Sequence, residues 1–77
     1  METRAFILIE TQVGRSNRVA QELRNIPGVV SADPVTGTID VIALIVADSI
    51  SAMAELVTSK IQGVRGVVRT VTCVAAG

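Results

Sequence analysis

Histidine, tryptophan and tyrosine are absent from this 77-residue sequence, and phenylalanine and cysteine occur once each. Each absence removes a class of function. Without histidine, and with no strong nucleophile–base pair, general acid–base catalysis lacks its usual carrier, and no enzyme activity is expected. Cys73 has no intramolecular partner for a disulfide, which fits a reducing cytoplasm. Phe6 alone cannot form a base-stacking platform, and Arg65 with Arg69 are too few for a nucleic-acid patch. The segment from Thr11 to Ser16 has no cysteine, so the Cys-x-x-Cys of metal-carrying modules is missing, and no metal or cofactor is expected. Seven basic residues balance seven acidic ones, leaving no net field to attract nucleic acid or anionic lipid. The longest apolar run, Val41 to Ala47, is far short of the ~20 residues of a membrane span. Nor do the apolar residues between Glu2 and Glu10 make a signal peptide.

What is present is aliphatic. Hydrophobic residues make up 49% of the chain and the mean hydropathy is +0.57. A chain this short buries only about 60% of the surface its unfolded form exposes. The apolar surplus therefore predicts self-association that covers a second face. The sequence also repeats itself. Ile26-Pro27-Gly28-Val29-Val30 returns as Val64-Arg65-Gly66-Val67-Val68, an offset of 66 − 28 = 38 residues. The same shift places Phe6 to Glu10 on Leu44 to Asp48, Val19 on Val57 and Leu23 on Ile61. Each half reads apolar run, acidic residue, helical stretch, Gly-Val-Val.

The periodicities then assign the elements. Arg4 to Thr11 predicts a strand with Ala5, Ile7 and Ile9 on one side and Phe6 and Leu8 on the other. Both sides are apolar, as in a central strand. Ser16 is a candidate N-cap for a helix whose inner stripe is Val19, Leu23 and Ile26, stopped by Pro27-Gly28. Val29 to Asp33 predicts a short strand, and Pro34 puts it at an edge. Thr36-Gly37 is a turn, and Thr38 to Ala47 a third strand, again apolar on both sides. Asp48-Ser49 opens a second helix with Ile50, Met53, Val57 and Ile61 as its core stripe. Leu56 lies well off that stripe and is a candidate interface residue. Val67 to Ala75 is the last strand, with Thr70, Thr72, Val68 and Val74 on one side and Val67, Arg69, Val71 and Cys73 on the other.

The order β-α-β-β-α-β with right-handed crossovers predicts an α+β, ferredoxin-like fold over residues 1–77. It has a four-stranded antiparallel sheet, order 4-1-3-2, with both helices on one face. The opposite face, lined with aliphatics, predicts a dimeric α/β sandwich.

Few residues carry chemistry. Asp40, near the start of a buried strand, can accept from the amino group of a small ligand; it can equally be a strand end in water or paired with an arginine. Thr70 and Thr72 put two hydroxyls side by side on an edge strand, where threonine is also simply a good strand former. Gly37 permits a hairpin turn or a ligand's close approach, and Gly14 sits where an anion could meet helix amides. Cys73 reads as a small buried hydrophobe.

Two of these segments, taken together, resemble a known family. Thr36-Gly37-Thr38-Ile39-Asp40 is similar to the Thr-Gly-x-aromatic-Asp element of the C-terminal effector (RAM) domain of Lrp/AsnC, or feast/famine, transcription regulators. Gly66-Val67-Val68-Arg69-Thr70-Val71-Thr72 is similar to that domain's Gly-Val-x-Arg-Thr-x-Thr ending. The resemblance implies sheet-to-sheet dimers that assemble into octameric or decameric rings and bind amino acids between dimers. It nominates Gly37, Thr38, Ile39, Asp40, Thr70 and Thr72 as ligand-binding residues. Ile39 replaces the usual aromatic and reshapes one pocket wall. The family's regulators begin with a DNA-binding helix-turn-helix; with the first strand starting close to Met1, a module without one is expected.

The expectation is a stand-alone, cytoplasmic, non-enzymatic amino-acid-binding module without direct nucleic-acid or membrane contact. It would self-assemble and could join full-length regulators of the same family. The alternatives are an ACT-like allosteric domain with its site near Val13-Gly14, or a purely structural assembly module. A small enzyme of the dimeric α+β barrel type is disfavoured by the missing histidine, tyrosine and tryptophan.

Overall fold

The computed structural model describes residues 2–77. Strand β1 (Thr3–Thr11) leads to helix α1 (Ser16–Arg24), then to β2 (Val29–Pro34) and β3 (Val41–Ala47). Helix α2 (Ile50–Leu56) runs on into a π-helical turn, Val57–Ile61, and β4 (Val67–Val74) closes the chain. The strands form one antiparallel sheet in the order β2-β3-β1-β4, the expected 4-1-3-2 order counted from the other edge. The two strands with apolar residues on both sides, β1 and β3, occupy the centre.

Both helices cover the same face. Ala5, Ile7 and Ile9 of β1, with Val41, Ala43 and Ile45 of β3, are fully buried. They pack with Val19, Ala20 and Leu23 of α1 and with Met53, Val57 and Ile61 of α2 and its π turn. Burying each larger aliphatic here contributes about 1.5–3 kcal/mol. On the other face, Phe6 stands opposite Leu44 and Cys73, and Leu8 opposite Ile42 and Val71. Phe6 is 45% exposed and Val71 44% exposed.

The repeat in the sequence is a repeat in the backbone. Gly28 and Gly66 take φ of +98° and +101°. The carbonyl of Gly28 accepts from the Val46 amide at 2.9 Å, and that of Gly66 from the Gln12 amide at 2.8 Å. In each copy the first valine, Val29 or Val67, packs on the core. The second, Val30 or Val68, falls at a register shift and is exposed. A bulge thus recurs at the same offset, 68 − 30 = 38. Each glycine also receives the opposite helix. A Cβ on Gly28 would lie 3.0 Å from Leu56 Cδ2, and one on Gly66 would lie 3.1 Å from Val19 Cγ2.

Several local expectations are corrected. Helix α1 starts one residue earlier than a Ser16 cap requires. Arg15 holds the N-cap position without a side-chain bond, because its amide closes a turn onto Gln12 and its carbonyl accepts from Val19. In α2 the cap is as read, with Ser49 Oγ accepting from the Ala52 amide at 3.0 Å. Ile50, expected in the core stripe, is 66% exposed, since it starts the helix beyond the edge of the packed layer. Leu56, off the stripe, is half-buried and packs against Gly28 and the core. Cys73 is exposed, because it lies on the face that no helix covers. The bulge at Val68 moves Val67 to the helix side, reversing the expected pair. Strand β3 begins at Val41, three residues late, because residues 38–40 belong to the hairpin loop.

The paired glycines predict a mutational signature. Gly28→Ala combines a left-handed backbone with a contact on Leu56 and is expected to lower the unfolding free energy by about 1–3 kcal/mol in urea titrations. Gly14→Ala has a positive φ but open space around the new methyl, and about 1 kcal/mol is expected.

Candidate functional site

Two separate places collect the polar residues singled out above. The first is the β2–β3 loop, residues 35–40. Val35 donates its amide to the Asp40 carbonyl at 2.9 Å, which closes the loop, and Asp40 donates its own amide to the Ile9 carbonyl at 3.0 Å. The carboxylate then reaches across the end of β1, where Asp40 Oδ2 accepts from the Thr11 amide at 2.8 Å. Gly37 turns the loop at φ +147°, and a Cβ added there would meet nothing within 4 Å. Gly37 and Thr38 are exposed; Ile39 and Asp40 are half-buried.

Neither bland reading of Asp40 describes it fully. Among the described residues it forms no ion pair with an arginine. It is a staple between the β1 end and the loop, using one carboxylate oxygen. A carboxylate oxygen has more than one acceptor direction, so the group retains capacity toward solvent.

The second place is a groove of roughly 280 Å³ between α2 and β4. Its apolar walls are Ile50, Met53, Ala54 and Val57 from the helix and Val74 from the strand. Thr70 and Thr72 line its strand side. They stand opposite Ile9 and Ile7 and so share the helix side of the sheet, as alternation requires. Gln62 enters the groove from the end of the π turn and donates from Nε2 to Thr70 Oγ1 at 3.0 Å. Sequence reasoning missed Gln62. Its amide bonds to the Val57 carbonyl, five residues back, and no spacing rule for an α-helix places it there.

The structure brings Thr70 together with Thr72, and Gly37 together with Asp40, but not the two groups with each other. Both flank Ile9: Asp40 bonds to it from β3's side and Thr70 pairs with it from β4's side. Strand β1 stands between them, so their backbones are separated by two strand spacings, about 10 Å. The two sets therefore do not converge on one point within the chain.

The sequence profile of the Lrp/AsnC ligand binding domain matches residues 4–76. Hypothetical protein PHS023 from Pyrococcus horikoshii is 30% identical, with a TM-score of 0.89 over 99% of this chain and 90% of that one. TTHA0845 from Thermus thermophilus is 29% identical, with a TM-score of 0.90 over 97% of this chain and 94% of that one. The transcriptional regulator NMB0573 from Neisseria meningitidis, solved as a complex with L-Met, is 19% identical, with a TM-score of 0.84; the match covers 97% of this chain and 50% of the regulator. No curated protein matches the chain. Among the described residues no helix is long and apolar enough to cross a membrane.

The bond from the Thr11 amide gives Asp40 a structural role that substitution can measure. Asp40→Ala orphans the Thr11 amide and is expected to cost about 1–2 kcal/mol of stability by chemical denaturation. Asp40→Asn keeps an acceptor for that amide, and its midpoint is expected to stay within about 0.5 kcal/mol of the parent value.

Proposed function

The chain belongs to the Lrp/AsnC ligand-binding domain family, and on that premise we propose that it is a non-enzymatic amino-acid sensor that works as an assembly of identical copies. The observation that carries this reading is the uncovered sheet face. Phe6, Leu8, Ile42, Leu44 and Val71 form one aliphatic and aromatic surface with no helix over it. A second copy packed sheet to sheet covers it and yields the α/β sandwich. Larger rings of such dimers, octamers or decamers, follow the same logic. Mixed assemblies with full-length regulators of the family are part of the proposal, and the cytoplasm is the proposed compartment.

The ligand would sit where copies meet. The loop of one copy offers Gly37, Thr38, Ile39 and Asp40; the groove of another offers Thr70 and Thr72. Asp40 accepts from the ligand ammonium with the capacity its Thr11 bond leaves unused. Ile39 and the groove's aliphatic wall suit an apolar side chain. The L-Met complex of NMB0573 supports an amino acid as the ligand class. The mechanism is linkage: a ligand that binds the assembled state better shifts assembly by its differential affinity.

Calorimetry against the twenty amino acids, with light scattering on the same samples, tests the proposal. An oligomer with a heat of binding for a small set of apolar amino acids is expected. A monomer indifferent to all twenty would overturn it. Phe6→Glu, which puts a charge on the open face, is expected to reduce the scattering mass to that of a monomer and to abolish the heat.

A further inference from the structure

We infer that the start of α1 and the turn before β4 form a second binding site, one for a phosphate group, held by Arg15, Arg18 and Arg65. It is independent of the amino-acid site proposed above and shares no residue with the β2–β3 loop or the α2–β4 groove.

The six arginines of the chain divide into two sets of three. Arg4 donates to the Gly77 carbonyl, Arg24 donates to the Ala32 carbonyl beside Asp33, and Arg69 pairs with Glu10 at 3.3 Å. Among the described residues the side chains of Arg15, Arg18 and Arg65 reach no protein acceptor. Those three are not scattered. Together with Glu22 they line one open concavity of roughly 290 Å³. Arg15, Arg18 and Glu22 are spaced three and four residues apart along α1, so they share a face. Arg65 arrives from the other half of the chain. Gly66 makes that approach possible: a Cβ there would lie 3.2 Å from Arg15 Cβ, so the missing side chain is what lets the Arg15 stem lie against this turn.

Left alone, the arrangement is unfavourable. Three guanidiniums face one carboxylate in a chain whose charges otherwise balance. Two of them sit at the N-terminal end of α1, where the helix dipole favours acidic side chains, and the first turn has none. Arg18 and Glu22 stand four apart in the weaker order, and no ion pair forms between them. An anion in the concavity removes all three conflicts.

The class of anion follows from the number of guanidiniums. One guanidinium fork satisfies both oxygens of a carboxylate. Three forks suit a group with three terminal oxygens and about two negative charges, and a phosphate group has both. The local charge, 3 − 1 = +2, matches it. No aromatic side chain lines the concavity to stack a base, so the phosphate itself is what is recognised, whether free or carried on a small ester.

Inorganic phosphate, ribose 5-phosphate and glutarate, a dianion with its charges at opposite ends, are titrated calorimetrically at a fixed ionic strength of about 0.1 M. The titrations use the intact protein, Arg18→Gln, Arg65→Gln, Arg65→Lys, Glu22→Gln and Lys60→Gln, the last removing one positive charge outside the concavity. The parent is expected to bind at least one of the two phosphates about tenfold more tightly than glutarate, and the stronger of the two identifies free phosphate or an ester as the source. Each arginine-to-glutamine change is expected to weaken phosphate about five- to tenfold. Arg65→Lys keeps the charge but loses the fork and is expected to weaken it about threefold. Glu22→Gln is expected to tighten it about twofold, and Lys60→Gln to leave it unchanged. Without phosphate, Arg18→Gln is expected to raise the urea midpoint, because it relieves the clash with the helix dipole, a gain that a merely structural arginine would not give. Arg65→Lys, which preserves charge, keeps the test decisive should a glutamine variant misfold. The inference is overturned if neither phosphate binds, if Lys60→Gln weakens binding as much as Arg65→Gln, or if only a DNA duplex engages these arginines. None of these results bears on the amino-acid reading, which its own titrations decide.

Discussion

Two central strands carry aliphatic side chains on both sides, and two short helices can cover only one side. That imbalance governs the rest of the molecule. Ile7, Ile9, Val41 and Ile45 are satisfied by α1 and α2 within the chain. Phe6, Leu8, Ile42 and Leu44, on the same two strands, are not. Among the described residues no third helix covers them, and a core built from so few residues is small. Partner copies are the economical solution, and the proposed function follows from where their edges would meet.

Much of the architecture was legible because it was written twice. The offset of 38 aligns Gly28 with Gly66, and both take nearly the same positive φ, accept a backbone hydrogen bond at their carbonyl and precede a bulge at the same offset. Alternation on β1 and β3 showed which strands are central, and Pro34 marked an edge. What alternation could not show was the bulge itself. One residue out of register reverses every assignment beyond it, so Val67 and Val68 were placed on the wrong sides. Ile50 and Cys73 failed for a related reason: spacing gives a side of an element, but not whether anything in the chain lies over it.

The candidate site was legible in its residue types and less so in its bonds. Asp40 stood out as a carboxylate in an aliphatic strand, but its partner is the backbone amide of Thr11, 29 residues away. A backbone partner leaves no mark on composition. Gln62 was invisible for a different reason. It sits before Gly63, where α-helical spacing ends, and its placement depends on a π turn that α-periodicity does not anticipate. Thr70 and Thr72 share one side of an edge strand as alternation predicts, yet the side-chain partner of Thr70 is that unanticipated neighbour.

The division of the polar groups by β1 has an energetic consequence for the proposed sensor. Each protomer holds an acceptor-bearing loop on one flank of Ile9 and a donor-bearing groove on the other. A protomer alone offers the ligand only one of its two poles, and a single exposed polar contact contributes about 1 kcal/mol, too little to hold a free amino acid. Where two copies meet, the second contact becomes intramolecular, and its effective concentration is set by the interface rather than by diffusion. Affinity would thus exist only in the assembled state. A ligand at a hundredfold excess over its dissociation constant then stabilises that state by about 2.7 kcal/mol per site. In a ring this term is repeated at every junction, so a small change in metabolite concentration can decide which assembly prevails. Neither half of the site needs to move for this. In the proposed sensor the switch would reside in the separation of Asp40 and Thr70 by β1 within one chain, which a neighbouring copy would bridge.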